Sequence, residues 1–251
     1  MTLIEANVIG IPGIPWGLSE KQVWLSQQTI KRSYQQQVVA KIEAIKQNFP
    51  DQVLVEQYGA LSCDSDNYTL WAIKTKQWQS DKPTVLVTGG VHGYETSGIQ
   101  GALRFVESAM VAYADRFNFI VAPCLSPWGY ETINRWTPAA IDPNRSFNQD
   151  TDIEECRYLM TYVAELNISI LCHIDLHETT DTDNSEFRPA LEARDAVEQT
   201  LWEIPDGFYG VADSAKPEPA FQKAIIDAVE QVTHIALFVI HISDANKLSI
   251  L

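Results

Sequence analysis

From residue 84 onward the chain alternates short, almost wholly apolar runs with helix-forming stretches, and this restricts the fold more than any other feature. Residues 84–88, 118–122 and 168–176 read as strands, with helices over 96–114 and 153–166 between them. A strand that is apolar on both faces must be covered on both faces, which is the mark of a parallel sheet between helical layers. A helix over 218–231 and a buried strand over 235–242 continue the pattern. The expected fold class is α/β, a mixed, largely parallel, twisted sheet with helices on both faces.

The N-terminal part reads differently. Residues 10–17 are rich in Pro and Gly and form an irregular arm. Ser19 is placed to cap one long helix over 20–48, where Val38, Ile42 and Ile45 keep helical spacing. Strands are expected over 53–58 and 68–74, joined by the turn residues Asp64, Ser65, Asp66 and Asn67. Residues 123–150 form a Pro-containing stretch too long for a mere connector, which points to function. No repeat interrupts the chain, so residues 1–251 are expected to form a single domain with an N-terminal arm and helix (1–50).

Composition narrows the class of partner. Forty-five per cent of residues are hydrophobic and 20% charged, which is ordinary for a globular protein. The net charge of -15 argues against nucleic acid and anionic membranes, both of which require a positive surface. No apolar run approaches a membrane span, and the first residues lack a signal-peptide pattern. Cys63, Cys124, Cys156 and Cys172 form no close-spaced pair, so free core thiols in a reduced, cytoplasmic protein are expected.

The residues that carry chemistry cluster between 85 and 180. His92 and Glu95 stand three apart, just after a buried strand, with Gly89, Gly90 and Gly93 allowing a sharp turn. The carboxyl ends of strands in such sheets are where ligands bind. Catalytic zinc keeps three protein ligands and an open position. The strand over 168–176 offers His173 and His177, and His177 at its carboxyl end is the better placed. His173 lies deeper, as a hydrogen-bonded core histidine would, and Asp175 is placed to orient a ligand imidazole. His234 and His241 read as structural. Arg135, Asn144 and Arg145 supply donors suited to a carboxylate and to a developing oxyanion.

Together these residues resemble the zinc carboxypeptidase family, the carboxypeptidase A-like metallopeptidases, in the style of its short bacterial members and of the related succinylglutamate desuccinylase/aspartoacylase-like amidohydrolases. His92 and Glu95 match its His-x-x-Glu, Arg135 stands nine before Asn144, Asp142-Pro-Asn-Arg-Ser-Phe147 is close to the family phrase, and His177 lies in Asp-Leu-His-Glu. The resemblance implies one zinc ion held by His92, Glu95 and His177. It implies that Arg135 polarises the scissile carbonyl and that Asn144 and Arg145 hold the substrate's carboxylate. The activity implied is zinc-dependent hydrolysis of an amide beside a free carboxylate, most simply a metallocarboxypeptidase on short peptides. Two rivals are an N-acyl-amino-acid deacylase and a metal- or peptide-binding member without a base. It further implies a sheet of about eight strands. The family's general base is a glutamate on a late strand, and no glutamate follows Glu230. The chain is therefore expected to lack the C-terminal strand and helix that carry it, unless Glu178, Glu186, Glu203, Glu218 or Glu230 has taken the role.

Overall fold

The computed structural model describes residues 9–200 and 203–236. Its sheet has five strands, β1 (Val53–Ala60), β2 (Thr69–Thr75), β3 (Thr84–Gly89), β4 (Asn118–Ala122) and β5 (Ile170–Leu176), in the order β1-β2-β4-β3-β5. β1 with β2 and β2 with β4 run antiparallel, while β3 pairs in parallel with β4 and with β5. The sheet is thus mixed but evenly so, and among the described residues it has five strands where the resemblance implied about eight. The expected strand over 235–242 is described only at its start, where Ile235 bridges Phe208 in parallel. The rest of it, with His241, lies outside the described residues.

The central strands are buried on both faces, as their sequence requires. Val87 and Val121 face one hydrophobic cluster, and their neighbours Leu86 and Ile120 face the other, which is the period-2 alternation of a strand. The first cluster is covered by α1 (Leu18–Ser26), α2 (Ala40–Asn48) and α3 (Thr96–Phe105), through Trp24, Ile42, Ile45, Ile99 and Ala102. A π-helical stretch, Val106–Met110, and the short α4 (Val111–Tyr113) carry α3 onward to Tyr113, close to the expected end of the helix. Beyond the sheet's other face lies α6 (Glu154–Glu165), with Leu159 and Val163 in the second cluster. α7 (Arg188–Asp195) and α8 (Pro219–Val229) bury no residue fully. No helix among the described residues is long and apolar enough to cross a membrane.

Several expectations need correction, the first of them for a tertiary reason. The single helix over 20–48 is two, because the chain between them turns to bind the end of α5 (Pro127–Thr132). Lys31 N and Arg32 N donate to Glu131 O, and Tyr34 N donates to the Glu131 carboxylate at 2.7 Å. Gly17, not Ser19, is the N-cap, with its N–H bonded to Glu20 Oε2 at 2.8 Å. The stretch 123–150 is ordered around α5 and the 3-10 turn Pro143–Arg145. The cysteines are free, but Cys63 is exposed, whereas Cys124 and Cys156 are buried.

Glu155, in the first turn of α6, is buried with Oε1 lacking a hydrogen-bond partner among the described residues. Burial pushes its carboxyl up to about 7, with the Glu154 charge adding to the effect. The folded protein therefore holds a proton that the unfolded chain releases near pH 4.5, and stability falls as pH rises from there through about 7. Glu155→Gln should leave stability nearly unchanged at low pH and raise it by about 1–3 kcal/mol at pH about 8. Urea unfolding at both pH values checks this, and equal effects at both would contradict it.

Candidate metal centre

Two neighbouring parallel strands deliver the site. Thr88 and Gly89 of β3 lie opposite Asp175 and Leu176 of β5, so the loop after β3 and the residues after β5 emerge side by side. The β3 loop turns at Gly90, whose φ of 63° is open to glycine at little cost. Its backbone is pinned from α5 and the chain after it, with Ser126 N donating to Gly90 O at 3.0 Å and Tyr94 N to Asn134 O at 3.2 Å. Arg32 clamps the outside, donating to Gly93 O at 2.9 Å and to Tyr130 O at 2.6 Å.

Within this frame His92, Glu95 and His177 offer ligand atoms that all lie within 4.8 Å of one another. The His92 and Glu95 side chains are each 2% exposed, whereas that of His177 is 31% exposed and opens the site to solvent. His92 Nδ1 is 2.7 Å from Glu95 Oε1, and His177 Nδ1 is 3.0 Å from Glu95 Oε2. The far ring nitrogens face other carboxylates: His92 Nε2 lies 3.0 Å from Asp142 Oδ1, and His177 Nε2 lies 2.5 Å from Asp175 Oδ2. Thr88 Oγ1 donates to Asp175 Oδ1 at 2.6 Å, fixing that carboxylate in turn.

Charge pairing outweighs burial throughout. Burial alone would raise the Glu95 carboxyl, but the charges of His92 and His177 hold it well below the usual range. Asp142 is likewise penalised by burial and held low by His92 and Arg135. Burial would lower His177, yet Asp175 and Glu95 raise it well above its ordinary value. The donor set fits zinc. Two Nδ1 atoms and one carboxylate converge, and each imidazole is oriented through Nε2 by an outer carboxylate, the arrangement that fixes the tautomer of a metal-binding histidine.

The remaining expected residues fall into three groups. His173 lies within the sheet, with Nε2 2.8 Å from Thr88 Oγ1, and burial lowers its pKa. Since the Thr88 hydroxyl proton goes to Asp175, His173 is the donor in that bond. Arg135 joins the cluster through Asp142, with Nε 3.2 Å from Oδ2. Asn144 is buried in the turn Pro143–Arg145, which Asp142 caps by accepting Asn144 N at 2.9 Å. Arg145 stands on the exposed side of that turn and lowers the Asp142 carboxyl.

Glu178, the nearest candidate base, donates its N–H to Glu95 Oε2 at 3.0 Å, while its own Oε2 accepts Ser97 N at the start of α3. It is a helix cap in this arrangement. Glu186, Glu203, Glu218 and Glu230 are exposed. Among the described residues, no hydrogen bond or ion pair joins another glutamate carboxylate to His92, Glu95 or His177. Sequence reasoning missed Tyr94 and Asp183, which meet at Arg135. Tyr94 lies inside the His-x-x-Glu and was open to suspicion, but nothing in the polar stretch around Asp183 marks it.

A Cβ on Gly93 would lie 2.1 Å from Tyr130 N and 2.2 Å from the Gly129 carbonyl carbon, both backbone atoms. Gly93→Ala should therefore cost about 1–3 kcal/mol of stability through overpacking. Denaturant unfolding measures this, and a neutral result would show that the loop and α5 can separate.

Residues 38–162 match the zinc carboxypeptidase family model, a stretch that contains His92, Glu95, Arg135, Asn144 and Arg145 and ends before His177. No curated protein matches the chain. Among solved structures, a candidate metallopeptidase from Shewanella amazonensis SB2B is 20% identical and covers 88% of this chain and 83% of its own, with a TM-score of 0.63. Another, from Shewanella denitrificans OS217, is also 20% identical, covers 81% and 67% respectively, and has a TM-score of 0.59. These likenesses show a common fold. With its fold, its ordered motifs and the family match in agreement, the chain belongs to the zinc carboxypeptidase family.

Proposed function

We propose that this protein is a zinc-dependent metallocarboxypeptidase that cleaves the amide bond preceding a free carboxylate, with short peptides as substrates. One observation carries the reading: His92, Glu95 and His177 converge at the mouth of the sheet, and Arg135 is tied to them through Asp142. In this reading His92, Glu95 and His177 hold one zinc ion. Zinc bound there would supply Lewis acidity and would lower the pKa of an attacking water.

The protein's own groups do the rest. Asp142 and Asp175 accept from the Nε2 atoms, which leaves each Nδ1 lone pair directed at the centre of the site. Arg135 donates to the scissile carbonyl oxygen and stabilises the charge that grows on it, an effect confined to the transition state. Asn144 and Arg145 bind the terminal carboxylate and set which bond is presented, a neutral amide beside a charge-assisted pair.

Three outcomes are expected. His92→Ala should lose stoichiometric zinc by elemental analysis, whereas His173→Ala should keep it; the reverse result would reassign the histidine ligand. Arg145→Ala should lower kcat/KM on free-acid peptides by about 10–100-fold, the worth of a charge-assisted hydrogen bond, and leave amidated peptides nearly unaffected. Equal loss on both would make Arg145 structural. Chelator-sensitive release of C-terminal residues from peptides, exceeding turnover of N-acyl amino acids, supports the carboxypeptidase reading. Preference for the acyl amino acids would transfer it to a deacylase, and no turnover of either would leave a binding protein.

A further inference from the structure

Arg135 has three nitrogens that can donate, and the protein occupies two of them. Nε reaches Asp142 Oδ2 at 3.2 Å, while Nη1 reaches Asp183 Oδ1 at 3.2 Å and the Tyr94 hydroxyl at 3.4 Å. Nη2 makes no hydrogen bond or ion pair among the described residues. The Asp183 carboxylate is itself held from several sides. Tyr94 OH lies 2.9 Å from each of its oxygens, and Thr180 N donates to Oδ2 at 3.1 Å. Because the Tyr94 proton goes to Asp183, the Tyr94 oxygen can only accept from Arg135. The ring of Tyr94 packs against Phe187 at 4.6 Å, at the other end of the π-helical turn Asp183–Phe187.

We propose that Asp183 and Tyr94 are positioning residues for Arg135. With Asp142 they clamp the guanidinium so that Nη2 is presented to the substrate's carbonyl oxygen. This rests on the role given to Arg135 above. Its physical basis is preorganisation. A free arginine side chain carries roughly 2 kcal/mol of rotamer entropy and would need to be ordered during the reaction. A guanidinium held by two carboxylates and a phenol is already ordered, so its remaining N–H groups stabilise charge without reorganisation. An anion-mimicking Asp183 that blocks the arginine is the opposite reading, but Asp183 takes Nη1 and leaves Nη2 clear. The arrangement also couples two parts of the site. Asp183 follows His177 by six residues, so one short segment orients both a metal-binding histidine and the arginine.

The test uses Asp183→Ala, Asp183→Asn and Tyr94→Phe in the zinc-loaded 251-residue chain. On a free-acid peptide, Asp183→Ala should lower kcat about tenfold or more while changing KM by less than about twofold, with zinc content unchanged. The shape-preserving Asp183→Asn and Tyr94→Phe should fall between it and the parent. In an Arg135→Ala background, Asp183→Ala should have almost no further effect, because the group it positions is gone. Equal loss in both backgrounds, or a change in KM alone, would overturn the proposal. A second readout does not need turnover. Guanidinium ¹H–¹⁵N NMR should show slow rotation for Arg135 in the parent and averaged signals in Asp183→Ala and Asp183→Asn. Should the parent hydrolyse no peptide, the carboxypeptidase reading fails, and NMR alone then decides the clamp. Arg135 rotating equally fast in parent and variants would refute it.

Discussion

The buried carboxylate of Glu95 is the constraint around which this protein is arranged. At 2% exposure it cannot rely on water, so each oxygen must be matched within the fold. Oε1 is matched by His92 in its own loop, and Oε2 by His177 and the Glu178 backbone N–H beyond β5. One carboxylate thereby ties the ends of two neighbouring strands together. Removing it would leave two imidazoles crowded in a site built for a negative charge, which costs far more than the pair contributes.

From Glu95 the pairing spreads in both directions. Asp175 holds His177 on one side, while on the other His92 leads to Asp142, then Arg135, then Asp183 and Tyr94. Acidic and basic groups alternate along the whole chain of contacts. No charge in it is left without an opposite neighbour, which is how a set of buried ionisable groups stays affordable. A cation among His92, Glu95 and His177 would take the place of the ring protons through which the two imidazoles meet the Glu95 carboxylate. The strongly acidic surface does not set this pattern; local pairing does.

The scaffold behind the network comes from parts of the chain with no motif. Trp24 of α1 packs against Trp128 and Trp136, with ring centroids 5.9 and 5.5 Å away, on either side of Arg135 in sequence. Gln28 accepts from Asn134, the residue before Arg135, at 3.0 Å. Arg32 stacks on Tyr130 at 3.6 Å while its donors grip the His92 loop. The N-terminal arm and helices thus brace the stretch that carries the proposed substrate-binding groups.

How much of this was legible follows from the range of each interaction. Local chemistry determined the strands β3 and β4, the helix α6 and the placing of His92, Glu95, Arg135 and His177, because apolar runs and short motifs are read along the chain. The same local reading found the ordering role open to Asp175 and the core position of His173, since strand parity and depth follow from sequence. It failed where distant residues compete for backbone donors. The break between α1 and α2 exists because Glu131 takes N–H groups about a hundred residues away, which no helix propensity records. Glu178 became a cap of α3 only when β5 brought it there, and Asp183 became a partner of Arg135 only when the segment after His177 closed over Tyr94. The sequence by itself determined which groups could act. Only the tertiary structure decided which carboxylate faces which cation, because hydrogen bonds and ion pairs reach a few ångströms in space and carry no trace of separation along the chain.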